Sequence, residues 1–477
     1  MVLKILAVVG ETILPSKYDA HAVLAILTLV TIYTYAQGRK TTRERDLHGR
    51  TVLITGAFTP HGLSLMDSLA RRGAHIIALS PDPIDTGSPS ILIPLLRSET
   101  SNENIYAEHC DLSSPSSIRA FCTGLLKAEQ QRLDAVIFAH EYAPVGTFFG
   151  SAARHAEDER AREAASCATF LLTTLLLPAL LVAPVERDIR LVALINPFYA
   201  AAAPNFSPAQ PLNTSTPPPV LAAEGRRALR TAILMRHLQR VLDALPTGAQ
   251  VPRTDVNAHS IPVVSDKVQR SNIVAVSVSP GISRTDVIAP LLGAGRSGGK
   301  VSWGGLLFYI LLNPLLRLIT KSPTSALQSV LHALFLPTPF KLLAAIAPDG
   351  TPQERSEEEV LKPGALYAEC AVVRVNVPPA PVPPENDIDP EPSAKGKEKA
   401  KAEDAPPGQT SRPDDGELGG EVLGTLIWDE YESELKVWED RAAAEEREQR
   451  EREELLARQR DGERHTPPTV DTSTSGQ

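Results

Sequence analysis

The chain has 477 residues, of which 43% are hydrophobic and 5% aromatic, which is enough for one well-packed core. Its formal net charge of −9 argues against nucleic-acid binding, because neutralising phosphates needs a basic surface. The four cysteines lie too far apart in sequence for a paired metal motif or a disulfide framework, so we predict reduced thiols and no metal site.

The first distinctive segment is a charge-free apolar run from Ala20 to Ala36, which as a helix would be about 25 Å long. Five basic residues follow it: Arg39, Lys40, Arg43, Arg45 and Arg50. By the positive-inside rule, this pattern predicts a membrane anchor in residues 1–45, with the main domain facing the cytosol. The endoplasmic reticulum, lipid droplets and the mitochondrial outer membrane all suit such an anchor. A cleaved signal peptide and a buried or interfacial helix are the alternatives.

Beyond Thr51, short aliphatic strands alternate with longer helical segments. Strands are predicted at residues 51–56, 74–80, 104–111, 133–141, 188–197 and 272–281, and helices at 63–72, 115–130, 157–181 and 225–245. This alternation predicts βαβ units, and the continuously apolar strands predict a parallel sheet covered on both faces. The fold class is therefore α/β, a doubly wound Rossmann domain over residues 46–377.

Two insertions interrupt this pattern, a Pro-rich loop at 201–220 and a segment at 246–271 before the sixth strand. After them, Trp303–Ile319 is apolar almost all round. Its Asn313, Pro314 and Arg317 favour a buried or membrane-touching helix pair, with a second membrane span as the alternative.

The composition changes abruptly near Pro378. Residues 378–420 are rich in proline and charge and are predicted to form a disordered linker, because they contain too little apolar surface to order themselves. Residues 421–462 return to a helical period, and 463–477 form a predicted disordered tail. One apolar face of this helix carries Leu423, Ile427, Tyr431, Leu435 and Trp438. Its charged second half is predicted to be a solvated tail, with a protein-partner site as the alternative.

Several short motifs stand in a characteristic order along the central domain. Thr55, Gly56 and Gly62 fill three positions of a T-G-x-x-x-G-x-G turn, Asp111 ends the third strand, and Pro280–Gly281 follows the sixth. In this order they resemble the short-chain dehydrogenase/reductase superfamily, and the likeness covers Gly49 to Val375. The resemblance implies that these residues contact a nicotinamide dinucleotide, Asp111 at the adenine and Pro280–Gly281 beside the nicotinamide.

Further segments are similar to the retinol-dehydrogenase-like branch of that superfamily. They are "KSPTSALQSVLHALF", "PGALYAEC" and "IWDEYESELKVWED". The resemblance implies that the last of these is the final helix of the domain and packs back on its body.

The resemblance does not extend to the proton relay. Superfamily reduction uses a tyrosine, a lysine four residues later, a serine and an asparagine. The matching positions here are Glu224, Ala228, the pair Ile195–Asn196, and Ala165, and Phe138–Glu141 replaces an N-N-A-G signature. Asn196 and Glu224 are the weak substitutes, since an amide can polarise a carbonyl and a glutamate with a raised pKa can donate a proton.

Cofactor binding is a separate question from catalysis. Pro60 removes a backbone N–H from the loop that would hold the pyrophosphate, whereas Gly56 and Gly62 keep its turn and its packing. Asp82, after the second strand, would accept a hydrogen bond from a ribose hydroxyl. That contact favours NAD as the cofactor, with NADP as the alternative.

Three functions therefore stay open. The leading hypothesis is a membrane-anchored, catalytically degenerate member of the superfamily that acts as a binding or scaffold module. An NAD(P)-dependent oxidoreductase that acts on a lipidic alcohol or ketone is the alternative, and a tether that recruits a partner through its C-terminal helix is the third.

Overall fold

The computed structural model describes residues 19–85, 87–127, 132–144, 146–148, 152–184, 187–207, 219–245, 271–294, 302–339, 359–378 and 416–464. The predicted linker, apart from its two ends, and the tail from residue 465 lie outside the described residues. So does most of both insertions.

The described core is a single eight-stranded sheet in the order β3-β2-β1-β4-β5-β6-β7-β8. The strands are β1 Thr51–Thr55, β2 His75–Ser80, β3 Ile105–His109, β4 Ala135–Phe138, β5 Ile189–Leu194, β6 Ile273–Ser279, β7 Leu366–Ala368 and β8 Ala371–Val373. Every neighbouring pair is parallel except β7 and β8. The predicted doubly wound sheet is confirmed, and the β7–β8 hairpin at its edge is an addition that the sequence analysis missed.

Nine longer helices accompany the sheet within the described residues. They are α1 Asp19–Gln37, α2 Pro60–Ala70, α3 Ser88–Thr100, α4 Pro115–Lys127, α5 Ala152–Val182, α6 Val220–Ala244, α7 Trp303–Ile319, α8 Pro323–Phe335 and α9 Gly420–Arg464. Of these, α3 and α8 were not predicted as helices. The sequence of α3 contains Pro94 and little regular apolar spacing, which hides the helical period.

The core lies on both faces of the sheet because alternate strand residues point to opposite sides. Ile54 of β1 packs in the cluster that contains Leu65 of α2 and Val330 of α8. Its neighbour Leu53 packs in the second cluster, with Leu171 of α5 and Leu238 of α6. This two-sided burial explains why the central strands are mostly apolar.

The C-terminal helix α9 folds back on the body. Its Leu423, Ile427 and Tyr431 are fully buried, and it contacts α6, α5 and α4. Arg230 of α6 also bonds to Glu434 at 2.6 Å. The apolar face recognised in the sequence is therefore the face that α9 buries, whereas the side chains from Arg447 to Arg452 point mostly into solvent.

Two apolar helices, α1 and α7, lie side by side at one surface of the domain. Among the described residues, the one helix with the length and apolar content to cross a membrane is Ala153–Val182, and more than half of its most apolar window is buried in the body. The apolar parts of α1, Val23–Gln37, and of α7 are shorter. Along α7 only Gly305 and Leu316 are buried, so it is not a core helix.

Candidate functional site

The predicted cofactor residues gather at the carboxyl edge of the sheet. Thr55 ends β1 and Gly56 follows it, and Pro280–Gly281 follow β6. Asp82 and Asp111 follow β2 and β3 at the same edge. In an open parallel sheet this edge is where ligands bind, so the candidate site lies here.

The two glycines of the loop after β1 are needed for packing. Gly56 has φ +63°, and a Cβ there would stand 2.8 Å from the Cα of His140. A Cβ on Gly62 would stand 2.3 Å from the carbonyl oxygen of Gly56. Both contacts lie within the chain, so these glycines are required by the fold whether or not a ligand binds.

Pro60 is the first residue of α2 and follows the N-cap residue Thr59. Proline suits this position because its fixed φ matches the helix and its missing N–H would have no partner in the helix. The Thr59 hydroxyl oxygen accepts from the Gly62 amide at 3.0 Å. Pro60 therefore fits the loop without strain, while it leaves one amide fewer for an anion.

An internal carboxylate occupies the N-terminus of α2. The His61 amide donates to Asp286 Oδ1 at 2.9 Å, and Asp286 is 3% exposed. The hydroxyls of Ser283 and Thr285 donate to its other oxygen at 2.8 and 2.7 Å. A carboxylate is stabilised there by the helix dipole, as a bound phosphate would be.

Asp286 was missed by the sequence analysis. The local signal is the S-R-T-D run at 283–286, one residue beyond Pro280–Gly281, in which two hydroxyl residues precede an acid. That run predicts a local turn, but its contact with a helix more than 200 residues earlier cannot be read from spacing.

A lysine side chain covers the Pro280–Gly281 step. Lys321 is 5% exposed, and its Nζ donates to the Pro280 carbonyl oxygen at 2.9 Å. A Cβ on Gly281 would meet its Cε and Nζ at 2.9 Å. Glu369 in the β7–β8 turn pairs with the same ammonium at 2.5 Å. The space that Gly281 leaves open is thus filled by the chain itself.

The two predicted acidic contacts, Asp82 and Asp111, make local hydrogen bonds. Asp82 is exposed, and its amide bonds to Ser80 Oγ at 3.1 Å. Asp111 Oδ1 accepts from the amide and the hydroxyl of Ser113 at 2.9 and 2.8 Å. Asp111 therefore organises the turn into α4.

Asn196 and Glu224, the predicted substitutes, do meet. The Asn196 amide donates to Glu224 Oε2 at 3.3 Å and to the Glu224 carbonyl oxygen at 3.0 Å. Arg162 and Arg227 approach the same carboxylate at 3.4 and 3.1 Å, and Glu224 is fully buried. The Gly146 amide also donates to this carboxylate at 3.4 Å, so donors surround it and two of them are cations. This is the environment of a structural ion pair and not of a proton donor.

The segment after β4 forms a second buried network. His140 Nδ1 lies 2.7 Å from Thr55 Oγ1, and its Nε2 lies 3.0 Å from the Ala165 carbonyl oxygen. Burial lowers the pKa of His140, which favours the neutral ring. Glu141 accepts from Thr231 at 2.6 Å and from Thr169. These bonds link the end of β4 with α5 and α6 through buried polar side chains.

His61 differs from His140. Its ring is 1% exposed beside Tyr142, and neither ring nitrogen has a hydrogen-bond partner among the described residues. Burial lowers its pKa to about 4, so the ring is neutral near pH 7. The His61 ring therefore packs against Tyr142 without a hydrogen bond among the described residues.

Known relatives of the chain are oxidoreductases. No family profile matches it. An uncharacterized oxidoreductase of Schizosaccharomyces pombe is 28% identical over 324 residues, 66% of this chain and 78% of that protein. Dehydrogenase/reductase SDR family member 13 of Homo sapiens is 34% identical over 142 residues, 28% of this chain and 33% of that protein. The chain is a divergent member of the short-chain dehydrogenase/reductase superfamily.

Two further proteins are similar to the chain. Human retinol dehydrogenase 13 is 34% identical over 108 residues, which are 23% of this chain and 31% of that protein. An NADPH-bound short chain oxidoreductase from Pseudomonas aeruginosa, described as containing an atypical catalytic center, covers 60% of this chain and 90% of its own at 14% identity, with a TM-score of 0.39.

These residues decide whether the superfamily's nicotinamide dinucleotide fits at this edge of the sheet. Within the loop and first turn of α2, Pro60 has no amide, the Gly62 amide is bonded to Thr59, and the His61 amide is bonded to Asp286. At the Pro280–Gly281 step, where the resemblance places the nicotinamide, the Lys321 side chain covers Gly281. The residues present do not fit a dinucleotide in the superfamily's usual pose. Among the described residues, no group of three or more His, Cys, Asp and Glu side chains is arranged to hold a metal ion.

Proposed function

We propose that this chain is a catalytically degenerate member of the superfamily that acts as a binding or scaffold module at a membrane. The observation that carries the proposal is the bond between Asp286 and the His61 amide, 2.9 Å long and buried. A dinucleotide phosphate would have to displace a carboxylate that three donors already satisfy. Exchanging one satisfied anion for another offers little net gain in free energy.

The surroundings of Glu224 support the same proposal. Reduction of a carbonyl needs a proton donor with a matched pKa within reach of the substrate. Glu224 is fully buried between Arg162 and Arg227, and Ala228 at the lysine position is 2% exposed. Neither residue offers a proton to a ligand bound in the candidate site.

Attachment to a membrane is the second part of the proposal. The basic residues after α1 favour an anchor with the domain on the cytosolic side, on the endoplasmic reticulum, a lipid droplet or the mitochondrial outer membrane. We propose the charged half of α9 as the surface for a protein partner, because its apolar half is already buried against the domain.

An oxidoreductase that acts on a lipidic alcohol or ketone is the second candidate. It is favoured by the names of the relatives, which include retinol dehydrogenases. In that case NAD or NADP would bind in a pose that avoids Asp286, and Asn196 and Glu224 would be the residues near the carbonyl.

Hydride transfer separates the two candidates. We expect the full chain in detergent or vesicles to oxidise neither NADH nor NADPH above background when retinoid and sterol ketones are supplied, measured as loss of absorbance at the reduced nicotinamide. Turnover that falls on replacing Asn196→Ala, with the fold intact, would establish the oxidoreductase and overturn the scaffold proposal. Asp243→Ala, at the far end of α6, is the matched control.

A further inference from the structure

The exposed face of α7 is apolar. Trp303, Leu307, Ile310, Leu311 and Leu315 recur at helical spacing, and Trp303 is 85% exposed and Leu311 73%. A water-facing helix normally shows polar residues at these positions. An exposed apolar stripe of this length marks a surface that is covered in the working protein.

Both ends of α7 are tied to the segment that follows β6. A Cβ on Gly305 would stand 1.9 Å from the Leu292 carbonyl oxygen, so the helix start packs directly on that segment. At the other end, the Lys321 amide donates to the Ile282 carbonyl oxygen at 3.0 Å. A helix that is tied to the domain at both ends lies along the domain surface and does not cross a bilayer.

The neighbour of α7 is the apolar helix α1. The two helices contact each other, and the side chain of Gln37 joins their ends by bonds of 3.1 Å to the Thr320 carbonyl oxygen and the Ser322 amide. Large side chains of α1 are also exposed, including Leu24 at 62% and Leu27 at 61%. The apolar surface is therefore continuous across both helices.

Basic residues stand where the two helices end. Arg39 and Lys40 after α1, and Arg317 in the last turn of α7, are exposed. Trp303 and Tyr35, which is 89% exposed, add amphipathic rings at the borders of the apolar surface. Cations and aromatic rings around an apolar stripe match the headgroup region of a bilayer with anionic lipids, and not an apolar protein surface.

We propose that α7 lies in the boundary between headgroups and acyl chains of the bilayer that α1 enters. This proposal rests on the membrane attachment proposed above. Because α7 is fixed to residues 282–293, its insertion turns the carboxyl edge of β6, with Lys321 and the Pro280–Gly281 step, towards the lipid surface. The candidate site at this edge of the sheet then faces molecules that partition into the membrane.

A fluorescent probe on α7 tests this orientation. Cys110, Cys122 and Cys167 are buried, and burial raises the pKa of Cys110 and Cys167 to about 12, so these thiols label slowly. In a full chain with Cys370→Ser, an environment-sensitive label is placed on Leu311→Cys, Leu27→Cys or Val437→Cys. Each protein is reconstituted into phosphatidylcholine vesicles with phosphatidylserine, with and without nitroxide-labelled lipid.

We expect the label at position 311 to lose most of its emission in nitroxide-labelled vesicles, as the label at 27 does, while the label at 437 on α9 is unchanged. All three sites are exposed in the folded domain, so none of the changes threatens folding. Quenching at 27 without quenching at 311 would overturn the placement of α7 and leave the anchor in place. Quenching at neither would overturn the anchor too. A label at 311 that is shielded from water but not quenched by lipid would show a second protein surface there, and would also overturn the proposal.

Discussion

Replacing Glu224→Ala is expected to lower the free energy of unfolding by about 3–5 kcal/mol, because two cations then stay buried without their shared partner. Arg162 is 12% and Arg227 6% exposed in their side chains, and Glu224 is fully buried. Urea unfolding of the full chain in detergent, followed by far-UV circular dichroism, measures the change.

Two control variants separate charge from packing at this position. Glu224→Gln keeps the shape and removes the charge, so it should lose part of the same stability. Glu445→Ala changes an exposed glutamate of α9 and should stay within about 0.5 kcal/mol of the parent. A Glu224→Ala chain as stable as the parent would contradict the structural role, because groups kept for catalysis are commonly retained at a cost in stability.

Replacing Tyr431→Ala is expected to cost about 3–5 kcal/mol, the usual loss when a large buried aromatic side chain is removed. The Tyr431 ring is fully buried and stacks on Phe170 at 5.4 Å, and the Arg230 guanidinium lies 4.7 Å above it. The same unfolding experiment, with proteolysis of the native chain, shows whether α9 stays docked.

Val437→Ala is the matched control on α9, since this side chain is 56% exposed and its loss should have little effect. If the final helix were an appended tail, Tyr431→Ala would leave the main transition unchanged and only hasten cleavage near residue 431. That result would contradict the view of α9 as part of the domain core.

The sheet could be predicted from the sequence because burial on both faces leaves a local signature. Each central strand is mostly apolar and buried along its length, and Gly56 and Gly62 stand where a sharp turn and a close helix need them. The hairpin β7–β8 leaves no such signature, because its strands have three residues each and Glu369 and Cys370 form the turn with positive φ.

The site was harder to predict because its contacts join distant parts of the chain. Asn196 and Glu224 could be paired from the sequence, because they stand at the serine and tyrosine positions of the superfamily pattern. The arginines around Glu224, the carboxylate of Asp286 on α2 and the ammonium of Lys321 on Gly281 depend on how separate elements pack. The spacing of residues along the sequence does not predict those contacts.

The central claim is that the chain's own side chains fill the place of the dinucleotide. Calorimetric titration of NADH and NADPH into the full chain tests it most directly. We predict no saturable binding below about 1 mM, which corresponds to a binding free energy weaker than about −4 kcal/mol. Saturable binding with a Kd of about 10 μM or tighter would contradict the claim, since that affinity requires phosphate contacts which Asp286 now blocks.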